Sequence, residues 1–387
     1  MVCIGDIPEL LWIYNLNSCF WRDVVQMLCE MKLKNSLGGN VVGSILERIS
    51  TITINPQQLL EDVLPSVPST VMETDVPKLF REPYIHSGYR PVEQDWKYYL
   101  LSLFQQHNEA LNVWTHLLAA LVLVIRFQVF LETTSTFPTV YGLPLCFFII
   151  ACITYLSCSV LAHLFQSKSE LAHYSFYFLD YVGVGAYQYG SALAHYYYCT
   201  EPEWYQVIHQ FFLPTAALLG WLSCIGCCFS KIHFQRPYPI RRKICQMVPA
   251  FLAYALDISP IVHRIATCWV TGCTDQAIWY HTWQIVLFIL ASCFFSYPVP
   301  EKYFPGRCDI VGHGHQIFHV FLALCTLAQL EAVLLDYRNR REMFFARGDE
   351  GTVYASCINF ILLILCSSFS ALYLRGIVKR KLNKRGD

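Results

Sequence analysis

Charge is what this sequence is short of. Asp, Glu, Lys and Arg make up only 14% of its 387 residues, against about a quarter in soluble domains. The 28 basic and 28 acidic side chains cancel, so no net field points to nucleic acid or to an acidic partner. Residues 1–43 lack the basic n-region of a secretory signal peptide. No repeat of fixed period is visible, which excludes solenoids and propellers. The 18 cysteines form no CxxC…CxxC framework, which excludes a zinc-ribbon or secreted disulfide scaffold. Most lie in apolar runs, such as Cys152, Cys158, Cys224 and Cys325, where they serve as small buried apolar residues. Cys268 and Cys273 share one extramembrane loop and can pair if it faces an oxidising compartment.

What is present is apolar: 55% of residues are hydrophobic and the mean hydropathy is +0.37. The few charges punctuate long uncharged runs, as repeated crossing of a bilayer requires. A crossing needs about 20 mostly apolar residues. Reading from one charge to the next predicts eight spans, near 110–131, 144–166, 172–198, 207–229, 245–267, 279–298, 312–335 and 353–374. The expected fold is an all-α polytopic membrane protein, an eight-helix bundle over 106–376. A cytoplasmic N-terminal region (1–105) precedes it and a basic tail (377–387) follows. Residues 44–62 read as a short amphipathic helix, and Pro65, Pro68 and Pro77 then favour an extended linker.

Orientation follows from the basic flanks. Lys78, Arg81, Arg90, Lys97, Lys168, the cluster Lys231–Lys243, Lys302, Arg307 and the tail Arg375–Arg385 fall on one side if the N-terminus is inside. The loop with Arg338, Arg340, Arg341 and Arg347 disagrees. Basic segments at both ends of the bundle require an even number of spans, with both termini cytoplasmic. Arg126, Arg264 and Glu331 lie close enough to span ends to snorkel. Asp180 and Asp257 do not.

Ionisable groups inside a membrane are expensive and mark function. The seventh span opens on Gly312-His313-Gly314-His315-Gln316-Ile317-Phe318-His319, which stacks His315 and His319 on one helix face. Ser159 and His163 end the second span at the same i,i+4 spacing, and Asp180 lies in the third. The topology brings His163, Asp180, His315 and His319 to similar depth in the inner leaflet, with Ser159 one turn from His163. Three histidines with an open position form the ligand set of a catalytic-type Zn2+ site. Asp180 and Ser159 would then orient a ligand or hold a water. The competing reading makes each histidine an ordinary hydrogen-bonded bundle residue. His313 suits that helix face less well than His315 does. Tyr196, Tyr197 and Tyr198 beside His195 read as an interfacial aromatic belt.

These motifs resemble the progestin and adipoQ receptor family, whose pattern is SxxxH on helix two, Asp on helix three and HxxxH on helix seven. Ser159/His163, Asp180 and His315/His319 match it in order. The stretch Phe104-Gln105-Gln106-His107-Asn108-Glu109 before Asn112-Val113-Trp114-Thr115-His116 matches its approach to helix one. The resemblance covers roughly residues 75–380. Longer strings, Phe80-Arg81-Glu82-Pro83-Tyr84-Ile85 and Val299-Pro300-Glu301-Lys302-Tyr303-Phe304-Pro305-Gly306 among them, resemble the progestin-binding branch.

The resemblance implies a seven-helix core with one extra C-terminal helix and an intramembrane Zn2+ held by His163, His315 and His319. It further implies a plasma-membrane receptor for progesterone and related neurosteroids, signalling through an inhibitory heterotrimeric G protein. Gln206, Gln210 and Asp257 are candidates to contact the steroid, with headgroup-facing or structural roles as the alternative. Membrane lipids are the remaining partner. A second function uses the same five residues. A zinc-activated water, with Asp180 as base, would attack the amide of a lipid such as ceramide.

Overall fold

The computed structural model describes residues 68–134, 139–234, 239–347 and 350–386, all within the compact unit Pro56–Asp387. The extension at 1–43, the helix expected at 44–62 and Pro65 lie outside the described residues, as does Arg236 of the basic cluster. Eight helices of 21 residues or more form among the described residues. They are α1 (Ala110–Glu132), α2 (Leu143–Phe165), α3 (Glu170–Ala194), α4 (Phe212–His233), α5 (Ile240–Thr271), α6 (Gln276–Ser296), α7 (Gly314–Asn339) and α8 (Glu350–Gly386). No strand forms among the described residues; a single bridge pairs Val71 with Tyr89.

Seven of these helices are long and apolar enough to cross a membrane. The exception, α3, has the length but carries Tyr, Gly, Ser and Gln along 25 residues. Its position explains its composition, because it packs against α2, α4, α5 and α8. Polar groups are tolerated where protein rather than lipid surrounds them, and small residues let backbones approach. A Cβ on Gly190 would lie 2.3 Å from the Ala151 Cβ on α2, and one on Gly185 2.8 Å from the Gly220 carbonyl oxygen on α4. The outward faces are apolar instead: Phe369 on α8 is 73% exposed and Phe251 on α5 is 68% exposed. Only a lipid-facing surface tolerates so many bare aromatic and aliphatic side chains.

Several expectations change. The fourth span begins late: a short helix, Pro202–Ile208, precedes α4 and the chain breaks between them. Pro214 has no N–H to offer the Gln210 carbonyl, so a continuous helix would lose a bond there. Tyr196, Tyr197 and Tyr198 form no interfacial belt. They are buried in a π-helical turn, His195–Cys199, that extends α3. Arg264 does not snorkel, since it is 3% exposed and held by Asp336 and Asp275. Arg126 and Glu331 pair with each other at 2.5 Å between α1 and α7. The basic tail continues α8 to residue 386. At 37 residues that helix is about 55 Å long, far more than a hydrocarbon core of about 30 Å.

The described part of the expected linker, from residue 68, is a folded cap. Val76, Phe80, Ile85 and Tyr89 form their own small core. Arg90 is fully enclosed and caps the end of α2, donating to the His163 and Leu164 carbonyls at 2.6 Å and to Ser102 Oγ at 3.0 Å. Those carbonyls have no intrahelical partner, and a cation there also suits the helix dipole. Ser87 ties the cap to Asp309, ahead of α7, at 2.7–2.8 Å.

Candidate metal centre

The approach to α7 is pinned before its histidines appear. His313 is the N-cap residue, and its Nε2 lies 2.9 Å from the Asn108 carbonyl. Gln316 donates to that same oxygen at 3.0 Å, and Gly314 N donates to Glu301 at 2.7 Å. His313 is thereby occupied, while His315 and His319 point together from the first turns of the helix. His163 arrives from the last turn of α2. Ring centroids lie 5.2 Å apart for His163–His315, and 4.7 Å for both His163–His319 and His315–His319. One donor atom from each falls within 4.8 Å of the others. A tetrahedral ion with bonds of about 2.0–2.1 Å needs donors about 3.3 Å apart, a small side-chain adjustment away.

The surroundings favour a cation. Glu109 Oε2 accepts from His163 Nδ1 at 2.7 Å and from Asn112 Nδ2 at 2.6 Å, and its Oε1 accepts from Gln166 Nε2 at 2.9 Å. That fixes the His163 tautomer and leaves Nε2 as a lone-pair donor, the usual carboxylate–histidine support of a metal site. Burial opposes ionisation of Glu109, yet His163 and Asn112 outweigh it and hold the carboxyl well below its usual range. Neighbouring His107 is held well below the usual imidazole value by burial and by Arg90. As a neutral ring its Nδ1 accepts from Glu109 N at 3.1 Å. Within the cluster, His319 Nδ1 is buried with no hydrogen-bond partner. His116 stacks on His319 with centroids 4.0 Å apart, and both its ring nitrogens are unpartnered as well. Orphaned buried nitrogens in native folds call for a ligand, ion or water. The residues present therefore fit a borderline-soft divalent cation such as Zn2+.

Asp180 is half-buried, makes no hydrogen bond to a described residue, and lies within electrostatic reach of His163 and Lys231. Ser159 is buried one turn before His163. The remaining candidates sit elsewhere. Gln206 and Gln210 are exposed in and just after the helix Pro202–Ile208. Asp257 is buried and accepts from Ser191 Oγ at 2.6 Å and His195 Nδ1 at 2.8 Å. Sequence reasoning passed over Glu109 and Arg90. Glu109 left a trace, a carboxylate beside His and Asn at the threshold of an uncharged run. Arg90 left none beyond being one of several basic flank residues.

Comparison with known proteins adds an independent line. The haemolysin-III related family model matches residues 104–330. Membrane progestin receptor beta of Mus musculus is 58% identical over 349 residues, which cover 88% of this chain and 99% of that protein. The Homo sapiens protein of the same name is also 58% identical over 349 residues, with the same coverage. Membrane progestin receptor alpha-B of Danio rerio is 50% identical over 352 residues, covering 89% of this chain and 99% of the relative.

Proposed function

The chain belongs to the haemolysin-III related family, that of the progestin and adipoQ receptors, and from that premise we propose that it is a plasma-membrane receptor for progesterone and related neurosteroids. The observation that carries this reading is 58% identity to a progestin receptor along nearly its whole length. In this reading α3 is an eighth crossing, screened from lipid by its neighbours, and both termini are cytoplasmic. The Cys268–Cys273 disulfide then falls on the oxidising side. His163, His315 and His319 hold Zn2+ near the cytoplasmic face.

A steroid bound among the helices biases one arrangement of the bundle over another, and a cytoplasmic partner reads the difference. That partner is an inhibitory heterotrimeric G protein. The exposed Lys379, Arg380, Lys381 and Lys384 on the last turns of α8 supply surface for it and for anionic lipid.

One observation favours a second reading. Asp180 makes no hydrogen bond to a described residue and lies within electrostatic reach of His163, one of three histidines able to hold a metal between them. Zinc, when bound there, would polarise a carbonyl or acidify a water, and Asp180 would take the proton. A lipid amide such as ceramide is the fitting substrate. The experiment is saturation binding of labelled progesterone to the purified full chain in lipid nanodiscs, with ceramide turnover followed on the same sample. The receptor reading expects saturable, displaceable steroid binding that survives Asp180→Asn. Turnover lost in Asp180→Asn, with no saturable steroid binding, would move the protein into the amidase class.

A further inference from the structure

The opposite end of the bundle from the three histidines carries another buried donor cluster, which the proposed function does not use. His195 and Cys199 stand four residues apart in the π-helical turn that closes α3. A π turn is wider than an α turn and recurs at functional sites; here it sets both side chains toward α6 and α7. His281 joins them from the second turn of α6. One donor atom from each of the three lies within 4.8 Å of the others, and Cys199 Sγ stands 3.6 Å from His281 Nε2. None is more than 1% exposed.

Each imidazole stands beside a carboxylate. Asp257 accepts from His195 Nδ1 at 2.8 Å, and the Nε2 that faces the cluster accepts from Gln329 Nε2 at 3.0 Å, a bond that an ion would displace. Asp336 Oδ2 lies 2.8 Å from His281 Nε2 and 3.1 Å from Cys199 Sγ. Charge points the same way. The carboxylates of Asp336, Asp275 and Glu201 stand against the guanidiniums of Arg264 and Arg340, while Asp257 faces His195. Carboxylates outnumber guanidiniums by two, and of the four carboxylates Asp257 and Asp336 are buried, where charge is costly to leave uncompensated.

We propose that His195, Cys199 and His281 form a second metal site, for a divalent cation of the zinc class, with Asp257 orienting His195 and Asp336, held by Arg264, supplying negative charge beside the ion. Two imidazoles and a thiolate are borderline-soft donors that select zinc or its neighbours over magnesium and calcium. Without metal, Cys199 and His281 both donate to Asp336. On binding, Cys199 releases its thiol proton to solvent. His281 moves its proton from Nε2 to Nδ1, where Gln284, now 2.7 Å away, turns its amide oxygen to accept it. A dication enters and one proton leaves, a net gain of one positive charge beside Asp257 and Asp336.

The thiolate makes this site separable from the three-histidine set, which offers only imidazole. Cobalt(II) bound to a thiolate shows a sulfur-to-metal charge-transfer band in the near ultraviolet, and cobalt bound to histidines alone does not. Purified full-length chain, stripped with chelator and titrated with Co2+, is expected to develop that band. Cys199→Ser and His281→Gln should each remove it while the visible bands from the other site persist. Wild-type protein that takes up Co2+ without the band overturns the proposal even if no variant folds. So does a band that survives Cys199→Ser, since another cysteine would then supply the sulfur.

Discussion

Glu109→Gln is expected to weaken zinc binding about 10–100-fold, the usual cost of losing a carboxylate that orients a ligating histidine. Glu109 is an acceptor for His163 Nδ1, Asn112 and Gln166 at once, at 2.6–2.9 Å and 5% exposure. A glutamine fits the space but carries no charge. If its amide nitrogen turns to His163, the ring must accept at Nδ1 and hold its proton on Nε2, the atom a metal needs. If its oxygen does so, the orientation survives and the added basicity is lost. Competition against a calibrated chelator reads the change. Wild-type affinity in a folded Glu109→Gln variant would show that the carboxylate does not support the site. Glu109→Asp, which keeps the charge but shortens the reach, should fall between the two.

The second large effect belongs to Asp336. Its two oxygens accept from Arg264 Nη1 and Nη2 at 2.7 Å each, and Oδ2 also faces His281 at 2.8 Å. Asp336 is 1% exposed and Arg264 3%, so solvent does little to screen the pair. Removing one partner of a buried pair strands the other charge and typically costs about 3–5 kcal/mol. Asp336→Asn should therefore lower the midpoint of thermal or denaturant unfolding sharply. The Asp336→Asn/Arg264→Met double variant should recover part of the loss, because no guanidinium is then left stranded. An Asp336→Asn protein with the wild-type midpoint would mean that Asp275 and Glu201 satisfy Arg264 unaided.

How much of this was legible beforehand depends on the physics behind each feature. Long helices announce themselves through uncharged runs, and α1, α2, α6 and α7 begin and end within a few residues of the expected limits. The HxxxH of α7 and SxxxH of α2 were readable because i,i+4 spacing places side chains on one face whatever surrounds the helix. Features decided by neighbours were not. The burial of Tyr196–Tyr198 depends on the π turn and on what packs against it. The destination of Arg264 depends on Asp336, 72 residues away. The start of the cap, around Pro68 and Pro77, reads as an extended linker in sequence. Its fold rests on Arg90 reaching carbonyls more than 70 residues downstream. Glu109 fell between these cases, visible as a residue but not as a partner of His163.

The most direct test of the account is the zinc content of purified, detergent-solubilised protein measured by mass spectrometry, wild type against the His315→Ala/His319→Ala double variant. The variant is expected to lose one zinc per chain, together with thermal stability, whatever the second cluster binds. Equal zinc content in the two folded proteins would contradict it and return the three histidines to the ordinary hydrogen-bonded interior of a helix bundle.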